Sequence, residues 1–297
     1  MILDYQLIFD RMVGWTANYL RENKLKSMVL GISGGIDSTL CAAICYEVCE
    51  RYKSEGFKFY GVSLPCSTNT QRENDAAQLT MDAFIDKDCC WTENLEKEYL
   101  LMRATCEIHT QSTSISQGNI KARLRMIYLY NIASVTNGLV IGTSNLTEEY
   151  TGFFTIAGDG QADIAPISNL WKHEIFELVK YLSEYVYTTY ADEKKKKALT
   201  EAYNITPTDG NGVMAGGDMA QLMPGYTYDD LDRVLDAYIN HQLEWESQYK
   251  EDLYNEYGQD VVDSITNRYN RTAYKRKKLP IDLHREDLLK EEEPDSL

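Results

Sequence analysis

Gly31-Ile32-Ser33-Gly34-Gly35-Ile36-Asp37-Ser38 is the stretch on which the fold of this 297-residue chain turns. Residues 27–32 before it (SMVLGI) are short, apolar and partly β-branched, which predicts a strand running into the glycines. Helical periodicity resumes over 39–52. Two adjacent glycines between a strand and a helix allow backbone angles closed to other residues. Successive N–H groups can then converge on an anion, and the helix N-terminus adds its partial positive charge. Ser33 and Ser38 can donate hydroxyl hydrogen bonds to the same oxygens. Asp37, an anion at a phosphate site, calls for a bridging cation, and Mg²⁺ takes one or two carboxylates plus phosphate oxygens. Taken alone, the octapeptide also fits a tight turn capped by Ser33. It is not a Walker A loop, since no G-x-x-x-x-G-K-[ST] occurs, and no G-x-G-x-x-G occurs either.

Outward from this loop, strand and helix alternate. Helices are predicted over 5–21, 71–84, 93–108 and 120–135, with strands over 57–64 and 139–143 and a weaker one at 89–91. That order calls for an α/β fold, a parallel sheet with helices on both faces. Ligands of such sheets bind beyond the carboxyl ends of the strands, where Gly31–Ser38 and Gly142-Thr143 both fall. The C-terminal half reads as helical, with runs over 174–187, 229–257 and 261–269. The lysine run at 192–197 (DEKKKK) reads as a solvated helix face or a mobile loop. Residues 206–226 are rich in Gly, Pro and Asp, and the acidic tail 285–297 is expected to fray. No linker divides the chain, so 1–297 reads as a single domain.

Composition excludes several classes. Thirty Lys and Arg against 46 Asp and Glu give a net charge of −16, with no basic footprint for nucleic acid and repulsion from an anionic membrane. No apolar stretch approaches the ~20 residues of a bilayer span, and nothing at the N-terminus resembles a signal peptide. Seven cysteines with no C-x-x-C argue against a disulfide framework or zinc site. Cys41, Cys45 and Cys49 share one helix face, which reads as core packing. A cytoplasmic location follows.

The hexapeptide Ser33–Ser38 (SGGIDS) resembles the SGGxDS pyrophosphate loop of N-type ATP pyrophosphatases, which cleave ATP to AMP and pyrophosphate while adenylating a substrate oxygen. By itself it does not choose among GMP, asparagine, tRNA-thiolating and NAD synthetases. Further blocks choose. GNIKARLRM (118–126) is similar to the N-x-x-A-R-x-R-M helix of NAD synthetases. IGTSNLTEEYTGFFTIAGDGQADIAPISNLWK (141–172) resembles that family's GT-N-x-x-E, G-x-F-T and GDG-x-AD-x-x-P blocks with the lysine that follows. TPTDG (206–210) and YTYDDLD (226–232) look like its PT-D and SYDE-x-D stretches, and YKRKKLP (274–280) like its basic closure. The matches extend over about 7–282.

The resemblance implies an adenine nucleotide alpha hydrolase-like fold and ammonia-dependent, ATP-driven amidation of deamido-NAD through an acyl adenylate. It assigns ATP to Gly31, Ile32, Ser33, Gly34, Gly35, Ile36, Asp37, Ser38, Thr143, Lys172 and Thr208, and magnesium to Asp37 and Glu148. Deamido-NAD falls to Asn119, Arg123, Asp163, Tyr274 and Lys275. Lys172 and Asp159 are the catalytic candidates, Asp159 for binding ammonium or taking its proton. It also implies a homodimer. Each residue has a plainer reading: Glu148 as a solvated helix residue, Arg123 in a surface ion pair, Asp159 closing an Asx turn. The sequence departs from the family at Ile156-Ala157, where a lysine is usual before GDG, and at Leu64-Pro65-Cys66-Ser67, where L-P-Y-G is common. Ile156 is also the one feature favouring a rival reading, a nucleotide-binding scaffold that has lost activity. A longer segment at 187–206 is a candidate lid. Only about 30 residues precede the phosphate loop, too few for the amidase domain of glutamine-dependent relatives, so free ammonia is the expected nitrogen donor.

Overall fold

In the computed structural model, which describes residues 3–208, 222–278, 281–282 and 284–286, the alternation of the first half becomes a parallel sheet. Its strands are β1 (Ser27–Gly31), β2 (Lys58–Ser63), β3 (Cys90–Thr92) and β4 (Gly138–Val140), in the order β3-β2-β1-β4. Met28 pairs with Phe59 on one side and with Leu139 on the other. A short parallel pair, β5 (Ile164–Ala165) with β6 (Ile281–Asp282), prolongs the sheet past β4 through a bridge between Ile141 and Ile164.

Side-chain alternation along the strands decides the layers. Met28, Leu30, Phe59 and Leu139 face a core shared with α1 (Tyr5–Glu22), α2 (Ile36–Arg51) and α3 (Gln71–Phe84). Val29, Val62 and Val140 face the opposite way, against Met126, Leu129 and Ile132 of α5 (Ser114–Val135). Helices therefore cover both faces, as expected for a parallel sheet. α4 (Glu96–Glu107) precedes α5. Cys41 and Cys45 are buried with Leu40, Ile44 and Val48, so the cysteine face of α2 is core. Full burial of each Leu, Ile or Val contributes about 1.5–3 kcal/mol before entropy is counted. The chain steps from β1 to β2 on one side and to β4 on the other. This reversal opens a crevice beyond the carboxyl ends of β1 and β4.

α6 (Leu146–Thr151) and α7 (Lys172–Tyr181) follow, and the helices described after residue 227 pack around a second core of Trp171, Leu231, Leu235, Trp245 and Leu253 among others. Here the predicted boundaries needed correction. The run expected over 229–257 breaks into helices Tyr228–Asn240 and Lys250–Tyr257, with a π-turn at Trp245–Tyr249 between them. The first of these helices ends as the chain turns at His241, where no periodicity signal exists to announce the break. α7 gives way to another π-turn at Leu182–Val186.

Most of the segment read as a candidate lid packs into the protein, while Ile205 and Thr206 at its end line the cavity beyond β1 and β4. Its helix, Glu193–Asn204, buries Ala198 and Leu199 in the first core, and Ala202 is buried as well. Lys195, read as solvated, is buried as well; its ammonium pairs with Asp192 and sits 4.1 Å from the Tyr46 ring centroid. A long alkyl stem and an aromatic cage let one lysine of a charge run go inward. Residues 209–221 of the Gly-rich stretch, Pro280, and the tail beyond Glu286 lie outside the described residues.

Candidate active site

A cavity of about 640 Å³ opens at the reversal point, a size suited to a small-molecule ligand. The loop after β1 forms its floor. Ile32 N–H donates to Val62 O at 2.8 Å, anchoring the loop to β2. Gly34 then adopts φ +82°, and a Cβ there would stand 2.5 Å from Ala77 N and 2.7 Å from Glu73 O on α3. Only glycine fits. Ser33 Oγ accepts from Gly35 N–H at 3.2 Å and lies 3.0 Å from Ser38 Oγ, so both hydroxyls sit inside the bend. Gly35 caps α2 with no side-chain hydrogen bond, and Gly31, Ile32, Ser33, Gly35, Ile36, Asp37 and Ser38 line the cavity. Backbone donors at a helix start, left without a side-chain cap and facing a cavity, form an anion seat.

Three charged side chains from three elements meet above this floor. Lys172 Nζ at the start of α7 lies 2.5 Å from Asp37 Oδ2 and 3.1 Å from Glu148 Oε1 of α6. Lys172 is 1 % exposed, whereas the two carboxylates remain partly open to the cavity. Asn145 completes the group. It is wholly buried, caps α6 by accepting from Glu148 N–H at 3.0 Å, and donates to Asp37 Oδ1 at 3.0 Å. Sequence reasoning gave Asn145 no role; its signal was the N-cap pattern of an Asn three residues before a Glu.

The chemistry of this donor set suits one metal in particular. Among the described residues no cluster of three or more His, Cys, Asp and Glu forms a protein-only site. Two carboxylates already converging on one cationic group are what Mg²⁺ uses when substrate phosphates and water supply its other ligands.

The remaining candidates divide. Thr143, Asn119, Asp159, Thr208 and Lys275 line the same cavity. Asn119 Oδ1 accepts from Thr155 Oγ1 at 2.8 Å, and Thr208 Oγ1 donates to Glu73 Oε1 at 2.7 Å. Lys275 Nζ donates to Gly152 O (2.7 Å) and Phe154 O (2.6 Å), tying the C-terminal segment to the loop after α6. Burial lowers its pKa, against the pull of Asp159. Asp159 accepts from Thr155 N–H at 3.0 Å, and crowding by protein raises its pKa despite that bond. Its side chain nevertheless opens to solvent in the cavity, which screens the effect.

Three others are not brought to the cavity wall. Asp163 Oδ2 accepts from Val140 N–H at 2.7 Å, an edge bond of β4. Arg123 is exposed and donates through Nε and Nη2 to Ile156 O, both at 3.3 Å. Tyr274 is 63 % exposed. Arg123 thus puts a guanidinium beside the position where the family's lysine is absent.

Arg125 and Arg268 also line the cavity and were missed. Arg125 Nε donates to Leu64 O at 2.9 Å and Nη2 to Asn69 Oδ1 at 3.2 Å, holding the divergent loop after β2. Arg268 stacks over Phe153 at 3.8 Å and donates to Thr151 O at 2.7 Å. Arg125 lies in the GNIKARLRM block, whose pattern gave it no task, and Arg268 is a lone helix arginine with no sequence signal.

Comparison with known proteins matches the NAD synthase family model over residues 8–279. The NH(3)-dependent NAD(+) synthetase of Limosilactobacillus fermentum is 31 % identical over 287 residues, covering 92 % of this chain and 89 % of that protein. Among solved structures, an NMN synthetase from Francisella tularensis superposes with a TM-score of 0.72 at 28 % identity, covering 93 % of this chain and 98 % of that one. An NAD+ synthetase from Burkholderia pseudomallei superposes with a TM-score of 0.63 at 28 % identity, covering 93 % and 91 %. With the glycine-rich bend, the paired carboxylates and the lysine between them in one crevice, and a family match that spans nearly the whole sequence, the chain belongs to the NAD synthase family.

Proposed function

We propose that this NAD synthetase converts deamido-NAD to NAD with ammonia, in two steps driven by ATP. In the first, an oxygen of the nicotinate carboxylate attacks the α-phosphorus and pyrophosphate leaves. In the second, neutral ammonia attacks the acyl carbon, AMP leaves, and the nitrogen gives up a proton. The observation that carries the reading is the junction of Lys172 with Asp37 and Glu148 directly over the Gly31–Ser38 bend.

The residues divide the work by charge. The loop N–H groups and the Ser33 and Ser38 hydroxyls suit the departing pyrophosphate. Lys172 offsets negative charge where two anions must approach. Asp37 and Glu148 would hold Mg²⁺, which supplies further charge neutralisation on the phosphates. Asp159, whose pKa is raised, suits a group that binds ammonium and accepts its proton. Arg125, Arg268 and Lys275 on the cavity wall, and Arg123 beside Ile156, are the cations nearest the place of the absent lysine and suit the dinucleotide's own phosphates.

A homodimer is supported by the surface of α4 and α5. Leu101 on α4, Ile108 just after it, and Ile127 and Val135 on α5 are all at least 65 % exposed, apolar side chains that a second copy could cover. Among the described residues no helix is long and apolar enough to cross a membrane. The seven cysteines are free thiols, which suits the cytoplasm.

The deciding experiment supplies ATP, Mg²⁺, deamido-NAD and an ammonium salt, and resolves NAD and AMP by chromatography. Equal yields of both are expected, with almost none when glutamine replaces ammonium. Nicotinic acid mononucleotide is run as a competing acid. Preferential amidation of the mononucleotide would overturn the choice of substrate while leaving the chemistry intact; absence of AMP with either acid would overturn the reaction.

A further inference from the structure

Beyond the cavity lies a carboxylate that no substrate could reach. Asp232, on the helix Tyr228–Asn240, is 1 % exposed, and the hydrogen bonds of its two oxygens diverge. Oδ1 accepts from Thr147 Oγ1 at 2.5 Å. Oδ2 accepts from His173 N–H at 3.0 Å and lies 2.9 Å from His173 Nδ1. Thr147 Oγ1 in turn accepts from Lys172 N–H at 2.9 Å. Thr147 is the residue before Glu148, and His173 is the residue after Lys172. One buried acid from the second core therefore grips the neighbours of two of the three charged residues at the site.

Burying a carboxylate is costly, and burial raises its pKa even against the hydrogen bonds of His173 and Thr147. An apolar residue in this tightly packed region would avoid that cost but would leave the Thr147 hydroxyl and the His173 N–H to find other partners. A carboxylate is the one short side chain able to accept from both elements at once. The bonds also lie across the start of α7 and the first turn of α6, where a rotation of either helix would swing Lys172 or Glu148 away from the other.

We propose that Asp232 is a positioning residue for the reaction, setting the separation of Lys172 from Glu148 by fixing α6 against α7. This rests on the reading above that these two groups act on ATP. Asparagine keeps one acceptor oxygen and replaces the other by a donor, so Asp232→Asn breaks one of the two grips at nearly constant volume. The expected result is a kcat lower by about tenfold to a hundredfold, as for other residues that orient a catalytic group from behind, with KM for ATP and deamido-NAD changed less than about threefold. Combined with Glu148→Gln, the kcat losses should fall well short of additive, since both changes act on one arrangement.

A crystal structure of Asp232→Asn should show Lys172 Nζ beyond ion-pair reach of Glu148, about 4 Å. Asp192→Asn, a carboxylate change on the far side of the first core, serves as the structural comparison and should lower thermal stability without altering kcat. The proposal is overturned if Asp232→Asn behaves like Asp192→Asn, or if its kcat loss is additive with Glu148→Gln. A separate arm, Lys172→Met, tests the underlying reading. Undiminished turnover there would remove Lys172 from the chemistry, whereas lost turnover with an unaffected Asp232→Asn would remove only Asp232.

Discussion

The two sides of the cavity are built by different means. Its floor is one contiguous piece of backbone, Gly31–Ser38, whose donors are peptide N–H groups and two hydroxyls within five residues of each other. Its roof is made of side chains that lie far apart in the chain: Asp37 and Lys172 are separated by 135 positions, Asp37 and Asn145 by 108. A backbone seat depends on conformation and tolerates changes of side chain away from its glycines. A side-chain roof depends on where three helices start. The first should fail through folding and the second through charge, and mutations can tell these failures apart.

The largest effect is expected in the roof. Asp37→Ala or Lys172→Met should lower kcat by at least about a hundredfold to a thousandfold, the scale of removing one preorganised charge from a reacting site. Circular dichroism should show the fold intact. If either variant unfolded instead, the roof would be structural and the contrast would vanish.

Gly34→Ala should break the floor by the other route. Its φ of +82° and the 2.5 Å approach to Ala77 N force the loop or α3 to move. A loss of stability of at least about 1–3 kcal/mol is expected, read as a lower urea midpoint with an unchanged slope. Normal stability with lost activity would show instead that the bend is plastic and that its glycine serves the ligand.

Asn145→Ala sharpens the comparison, because Asn145 both caps α6 and contacts Asp37. Loss of the cap should cost about 1 kcal/mol. Asn145→Asp keeps an acceptor for the cap but sets a second negative charge against Asp37. Asn145→Asp should then be less stable than the alanine variant, and because position 145 is buried, added salt should relieve little of that deficit in urea unfolding.

The smallest effect is a gain. Desolvation by the surrounding protein raises the Asp159 pKa even though its side chain opens to the cavity, so the folded state binds that proton more tightly than the unfolded chain. Its contribution to stability is therefore greatest below the ordinary carboxylate pKa and declines as pH rises through the folded value. Asp159→Asn removes this charge. It should be slightly more stable than the parent near neutral pH, with the difference shrinking in acid, while ammonia-dependent turnover falls. Equal stability at all pH values would mean that water in the cavity solvates Asp159 fully.

Sequence periodicity determined the sheet, its helical cover and the glycine-rich bend, because each arises from residues adjacent along the chain. A strand running into two glycines and a helix is legible without any distant contact. So was the family, through the block 141–172. The C-terminal half was less legible: the break at His241 and the π-turn at Trp245–Tyr249 interrupt a run whose apolar spacing reads as one helix. Lys195 is buried because aromatic rings from α2 and Tyr187 lie around it, and its helix packs inward through Ala198 and Leu199.

Tertiary structure alone decided which charges meet. Asp163 and Asp159 stand four residues apart in one block, yet one serves a strand edge and the other faces the cavity. Asn145, Arg125, Arg268 and Asp232 acquired their tasks only when elements distant in sequence packed together. The energy of an ion pair or a buried hydrogen bond depends on separation and burial, and neither quantity exists until the chain has folded.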